Sequence, residues 1–333
     1  MIVRRQLAIV VPAFGLLTLV VLLLAPTLGS TEVRLSRVFD TSIPWVDNVD
    51  AQIFFVARLP RVLAGALVGS SLAAAGVVLQ ALLRNPLATP FTLGVSASAA
   101  LGAMLAIAFN LDMGAMGTGA VSVAAFAGSL VGTAIVYLLA TRINRALSTN
   151  VLLLAGVTLN TFFSALITFV QYLIDFADWY RTARWLLGNL DVSSYGPLIA
   201  ALPLVVLSFA LFAMLPRPLN LLTLGEDVAA ARGVDVGRAQ RAAFLSASLA
   251  TGAAISLAGP IGFIGVVVPH LVRLLVGADH RVVLPASILF GAAFLVICDL
   301  IARTVMAPIE LPVGIVTALI GGPFFIWLLV RKS

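Results

Sequence analysis

Lysine is all but missing from this sequence. The single one, Lys332, is second from the end. No G-x-x-x-x-G-K-[ST] motif can exist, so the chain does not bind ATP through a P-loop. Charge of either sign is scarce. Asp, Glu, Lys and Arg make up 10% of the 333 residues, against roughly 25% in soluble chains. Hydrophobic residues make up 61%, with a mean hydropathy of +1.13. That balance excludes an ordinary soluble domain and describes a protein that crosses a membrane several times. With one cysteine, Cys298, no intrachain disulfide is available, and within its apolar run it reads as a small buried hydrophobe. The two histidines, His270 and His280, have no neighbouring cysteine and no H-E-x-x-H pattern, so a metal site built on them is not expected. There is no G-x-S-x-G elbow and no intramembrane carboxylate pair. The net charge of +6 marks inner loops by the positive-inside rule and does not point to nucleic acid.

About 20 apolar residues cross a bilayer core. That length gives ten candidate spans, near 7–28, 61–83, 91–110, 119–140, 151–174, 197–215, 242–259, 262–276, 284–302 and 312–330. The expected fold is all-α and polytopic, a single transmembrane domain over 1–333. The stretch from Leu7 to Leu28 is long for a signal-peptide core and reads as the first span. The eighth span is short and holds Pro269, His270 and Arg273. With both termini inside, most of the 20 Lys and Arg fall on the inner side, including Arg84, Arg142, Arg145, Arg217 and Arg232. The outer arginines, among them Arg58, Arg61 and Arg303, lie on a face that also carries many acids, Asp112 among them. They need a local explanation.

The chain is organised around residues 58–94. A charge-free run from Val62 to Leu83 carries small residues on one helical row, Gly65, Gly69 and Ala73, which let helices approach closely inside a bundle. It ends in Asn85-Pro86-Leu87-Ala88, where Pro86 stops the helix. Irregular backbone at membrane depth needs protein or a watery cavity around it, so this end reads as a constriction on a path. A second segment, 259–265, is similarly rich in Gly and Pro and serves equally well as loop punctuation. Residues 29–57 are too polar to cross and predict a short surface helix. The largest inner segment, 216–241, holds a short helix opening at Glu226 and Asp227 and stopping at Gly233. It is either a connector or a docking surface for a cytoplasmic protein. Asp299 is the one acid well inside a span, open to a functional role or to an i,i+4 pair with Arg303. The spans are otherwise nearly empty of ionisable groups, which favours energy supplied from outside the chain over ion coupling. Phe162, Phe163, Phe169 and Tyr172 are path-lining or packing residues.

Several segments together resemble one family. They are R-L-P-R at 58–61, Q-A-L-L-R-N-P-L-A at 80–88, A-L-S-T-N-V-L-L-L-A-G-V at 146–157, L-L-T-L-G-E at 221–226, G-P-I-G-F-I-G-V-V-V-P-H-L-V-R at 259–273 and E-L-P-V-G-I-V-T-A-L-I-G-G-P-F-F at 310–325. They are similar to the FecCD-type permeases of bacterial ABC importers for iron chelates and cobalamin. The resemblance implies ten spans, two permease copies around one path, two cytoplasmic ATPase subunits and an outer substrate-binding protein, in the cytoplasmic membrane of a bacterium. It implies no cofactor in this chain, since ATP and magnesium belong to the partner ATPase. It places an inner gate at Asn85, Leu87, Ser148, Thr149 and Asn150, the last where the family often carries serine. It places ATPase coupling on Leu224, Gly225, Glu226, Asp227, Ala230, Arg232 and Gly233. It makes Arg58, Arg61 and Arg303 the seats of the binding protein; interfacial anchoring in lipid is the alternative. The expected cargo is an iron chelate, siderophore or haem, with cobalamin second. An ion-coupled carrier is the reading from a different class.

Overall fold

The order of elements follows the hydropathy of the chain closely. A computed structural model describes residues 2–111, 119–143, 147–192 and 194–332; Asp112 and Arg145, used above for orientation, lie outside the described residues. The helices are α1 (Ile2–Leu24), α2 (Leu35–Val38), α3 (Val49–Gln52), α4 (Leu59–Leu82), α5 (Val95–Ala108), α6 (Ala120–Ile143), α7 (Thr149–Leu173) and α8 (Phe176–Leu186). Then come α9 (Gly196–Ala213), α10 (Pro216–Leu222), α11 (Glu226–Ala231), α12 (Val236–Ala258), α13 (Ile264–Val276), α14 (His280–Thr304) and α15 (Val313–Lys332). There is no strand among the described residues.

Seven helices are long and apolar enough to cross a membrane, and three shorter apolar helices, Val95–Ala108, Ile264–Val276 and Val313–Leu328, fall where the other three candidate spans were placed. Local chemistry sets several boundaries. Asn48, Asp175, Asp235 and Asp279 each accept a backbone N–H through the side chain at the start of α3, α8, α12 and α14, supplying partners that a helix N-terminus otherwise lacks. The expected short surface helix in 29–57 is in fact two, α2 and α3. The second runs without a break through a π-helical stretch, Ile53–Arg58, into α4. Pro60 explains the π geometry. Its ring cannot tolerate a carbonyl four residues back, and a wider turn moves that carbonyl away. The capping N–H of Leu59 accordingly goes to Phe54 O.

α4 is the central element. It packs against α12, α13 and α14, and Val68, Leu72 and Leu79 join Phe244, Val268, Val272 and Leu295 in one core. In its apolar window 83% of residues are buried, against 17% in α7. Between lipid-soluble helices there is little hydrophobic driving force, so close backbone approach must hold the bundle. Glycine provides it. A Cβ on Gly69 would stand 2.2 Å from Gly291 O, and one on Gly76 would stand 2.1 Å from Gly265 O. The non-helical link 259–263 between α12 and α13 packs on the end of α8, where a Cβ on Gly188 would meet Pro260 O at 2.7 Å, and it buries Ile261 while leaving Phe263 exposed.

Candidate functional site

The end of α4 combines regular and irregular backbone within a few residues. Leu83 caps the helix, and Arg84 then takes a left-handed conformation at φ 47°. Asn85 folds its side chain back, Oδ1 accepting the Leu87 N–H at 2.9 Å. The Ala88 N–H donates to Asn85 O at 3.0 Å. This small knot leaves Leu87 exposed and Asn85 half-buried. A 3-10 turn, Pro90–Leu93, follows with a Thr89 capping box and stops at Gly94. It packs on α7, where a Cβ on Gly156 would meet Thr92 O at 2.4 Å. Ser148 stands at the N-cap position of α7 without a side-chain capping bond, with Thr149 half-buried and Asn150 exposed on the first turn. The two expected gate segments are thus tied through one interface, the 3-10 turn against α7. Of the four aromatics, Phe163 is buried, while Phe162, Phe169 and Tyr172 are exposed on α7.

The segment 216–241 forms two short helices and a sharp exit. α11 ends as a Schellman motif. The Gly233 N–H donates to Ala230 O at 2.9 Å and the Val234 N–H to Ala229 O at 3.0 Å, with Gly233 at φ +79°. Val234 packs beside Ala229. The α10–α11 link, α11 and its exit present Leu224, Asp227, Ala230, Arg232 and Gly233 outward, with Glu226 and Gly225 partly covered. Beside it, a cleft of about 530 Å³ lies between the end of α9, α10 and the start of α12, lined in part by Met214, Arg217, Arg232 and Arg238. Asn220 Nδ2 donates to Asp279 Oδ1 at 2.7 Å, and the His280 N–H donates to Asn220 Oδ1 at 2.9 Å. That pins α10 to the start of α14. Burial pushes the Asp279 carboxyl up, but hydrogen bonds from Asn220 and Arg281 outweigh it and hold the group below the usual carboxylate range.

The outer arginines Arg58, Arg61 and Arg303, expected to seat the binding protein, are engaged within the chain. All three are buried and bonded to other parts of the chain, although Arg303 Nε has no hydrogen-bond partner. Arg61 Nε donates to both Asp299 oxygens, at 2.9 and 3.1 Å, and its Nη1 pairs with Glu310 at 2.6 Å. Arg303 Nη2 donates to Ala25 O at 2.6 Å, and its Nε stands 3.6 Å from Asp299, an ion-pair distance too long for a hydrogen bond. Arg58 donates to the carbonyls of Pro26 and Thr27 at 3.2 Å and to that of Thr31. Burial among protein groups is a poor setting for a headgroup anchor, which needs its charge at the interface. Asp299 makes the i,i+4 pair with Arg303 that its spacing offered, and Arg61 joins it in a larger cluster. The open member of the cluster is Glu310, whose side chain is 50% exposed.

Sequence reasoning missed three joints. Gln80 Nε2 donates to Gly265 O at 2.8 Å and Arg273 Nη1 donates to Gln80 Oε1 at 2.5 Å, locking α4 to α13. Asn220 joins α10 to α14. Arg84 Nη2 reaches Glu226 Oε1 at 2.8 Å. Each pairs residues far apart in the chain, and no local pattern signals it.

Known proteins resemble the whole of this architecture. The chain is 47% identical over 273 residues to a cobalamin import system permease protein of Halobacterium salinarum, covering 82% of this chain and 72% of that one. It is 38% identical over 322 residues to a hemin transport system permease protein of Yersinia pestis, covering 96% and 95%. A solved structure of a metal-chelate type ABC transporter in an inward-facing conformation superposes with a TM-score of 0.83 at 33% identity, over 97% of this chain and 99% of that one. The FecCD transport family matches residues 17–331, and the chain belongs to that family as a membrane-embedded, multi-pass ABC importer permease.

Proposed function

We propose that this permease imports a metal chelate across the cytoplasmic membrane, as one copy of a homodimer with both termini inside. Iron chelates, siderophore or haem, are the first reading of the cargo. Cobalamin is the second, favoured by the relative at 47% identity. ATP and magnesium are bound by a partner ATPase that seats on Leu224, Gly225, Glu226, Asp227, Ala230, Arg232 and Gly233. The observation that carries this reading is the outward-turned segment from the α10–α11 link through α11, which exposes Leu224 at 67% beside the exposed Asp227. An exposed leucine among charges suits a protein contact better than lipid or water. The inner gate is assigned to Asn85, Leu87, Ser148, Thr149 and Asn150, on the knot and the α7 start that share one interface. The whole chain works as a single permease domain.

At the outer face the docking reading takes a form set by the cluster. A carboxylate of the substrate-binding protein takes the place of Glu310 on Arg61, while Arg58 and Arg303 hold the site's shape and positive charge. Such exchange gives orientation and encounter rate more than affinity. The test is reconstitution of the permease with its ATPase and binding protein in liposomes, offered hemin, a ferric siderophore and cyanocobalamin in turn. ATP-dependent accumulation of one of them is expected. Uptake driven by a proton or sodium gradient without ATP would overturn the importer reading and restore the ion-coupled carrier.

A further inference from the structure

We propose that the Arg84–Glu226 ion pair is the link by which the docking segment moves the gate knot. The inference rests on the docking reading above and adds a specific relay to it. Arg84 is the first residue beyond the α4 cap and the one immediately before Asn85. Its left-handed backbone, φ 47°, is costly for a residue with a Cβ, and it turns the guanidinium away from α4. There Nη2 meets Glu226 Oε1 at 2.8 Å. Glu226 is the first residue of α11. The same oxygen accepts from Gln240 Nε2 of α12 at 3.3 Å, and Gln240 is 1% exposed. One carboxylate oxygen therefore gathers the end of α4, the start of α11 and the body of α12.

The surroundings make this joint able to transmit a displacement. One turn earlier, Gln80 fastens α4 to α13, and the Asn85 N–H donates back to Gln80 O at 3.1 Å, so the knot starts from a fixed end of α4. Leu87, in that knot, is exposed. The ion pair is open to solvent, with side-chain exposures of 41% and 40%. An open pair adds little to stability. It can break and re-form at small cost, which suits a part that changes geometry in each cycle. A shift of α11 under a docked ATPase would pull on Arg84 and, through one peptide bond, on Asn85.

The experiment uses the permease–ATPase complex in lipid nanodiscs, with Cys298→Ala and Leu87→Cys as a reporter. The maleimide reaction rate at position 87 is read with and without Mg-ATP and vanadate. With Arg84 intact, nucleotide trapping changes the rate. Arg84→Gln is expected to shrink that change about threefold to fivefold, the bias an exposed pair can supply. ATPase association and melting temperature stay unchanged, which separates a relay from a structural prop. Arg84→Glu should shrink the response further than Arg84→Gln, because it sets a like charge against the Glu226 carboxylate. An undiminished response in Arg84→Gln overturns the relay and leaves docking standing. If Glu226→Arg with Asp227→Arg leaves ATPase association unchanged in the Arg84 background, docking lies elsewhere and the relay falls with it.

Discussion

Asp299 sits between Arg61 and Arg303 with 2% of its side chain exposed. Removing one member of a buried ion pair leaves the others uncompensated and costs about 3–5 kcal/mol. Asp299→Ala is expected to lower the melting temperature of the detergent-solubilised permease sharply. Glu310→Gln, at the half-exposed end of the same cluster, should leave the melting temperature near that of the parent. Equal losses in both variants would show that the cluster is not graded by burial. Part of this site was legible in the sequence. Arg303 is one helical turn from Asp299, and that spacing proposes the pair by itself. Arg61 is 238 residues from Asp299, and nothing in one sequence announces such a partner. For the same reason nothing in the sequence marked Arg58 and Arg61 as engaged within the chain. It showed the charge but hid the carbonyls of 26–31 that absorb Arg58.

At the level of elements, the spans were readable because crossing a bilayer imposes a length and a composition that few alternatives satisfy. The inner placement of α4 was readable from Gly65, Gly69 and Ala73 on one row. The partner at each glycine was not, since every helix here is apolar and none is marked as its mate. The seam gives a clean contrast. A Cβ at Gly76 would collide with the backbone of Gly265, whereas one at Gly322 has nothing within 4 Å. Gly76→Val should prevent recovery of folded permease, measured as the monodisperse fraction after extraction, while Gly322→Ala should be recovered as the parent is. Normal recovery of Gly76→Val would mean that α4 and α13 can separate at little cost. The π-helical entry to α4 escaped sequence reading because Pro60 looks like a helix start. A proline at the first turn and one accommodated by a widened turn leave the same mark on a sequence.

For the whole molecule, orientation is the property on which both partner surfaces depend, and it can be tested directly. In a Cys298→Ala background, a single cysteine at Ala177 on α8 should react with a membrane-impermeant thiol reagent from the outer side, and one at Ala230 should not. The reverse labelling would invert the protein and place α11 beyond the reach of any cytoplasmic ATPase. The central position of α4 has one more consequence, for the order in which the protein is built. α4 leaves the ribosome early, but α12, α13 and α14, which cover it, are among the last parts synthesised. Its serines can wait in lipid, because Ser70 and Ser71 donate to Leu67 O within the helix itself. Gln80 and Arg61 cannot, since their partners Gly265, Asp299 and Glu310 do not yet exist. During that interval the nascent permease carries an amide and a guanidinium whose final contacts have not been made. It therefore depends on the insertion machinery to shelter them until the C-terminal third arrives.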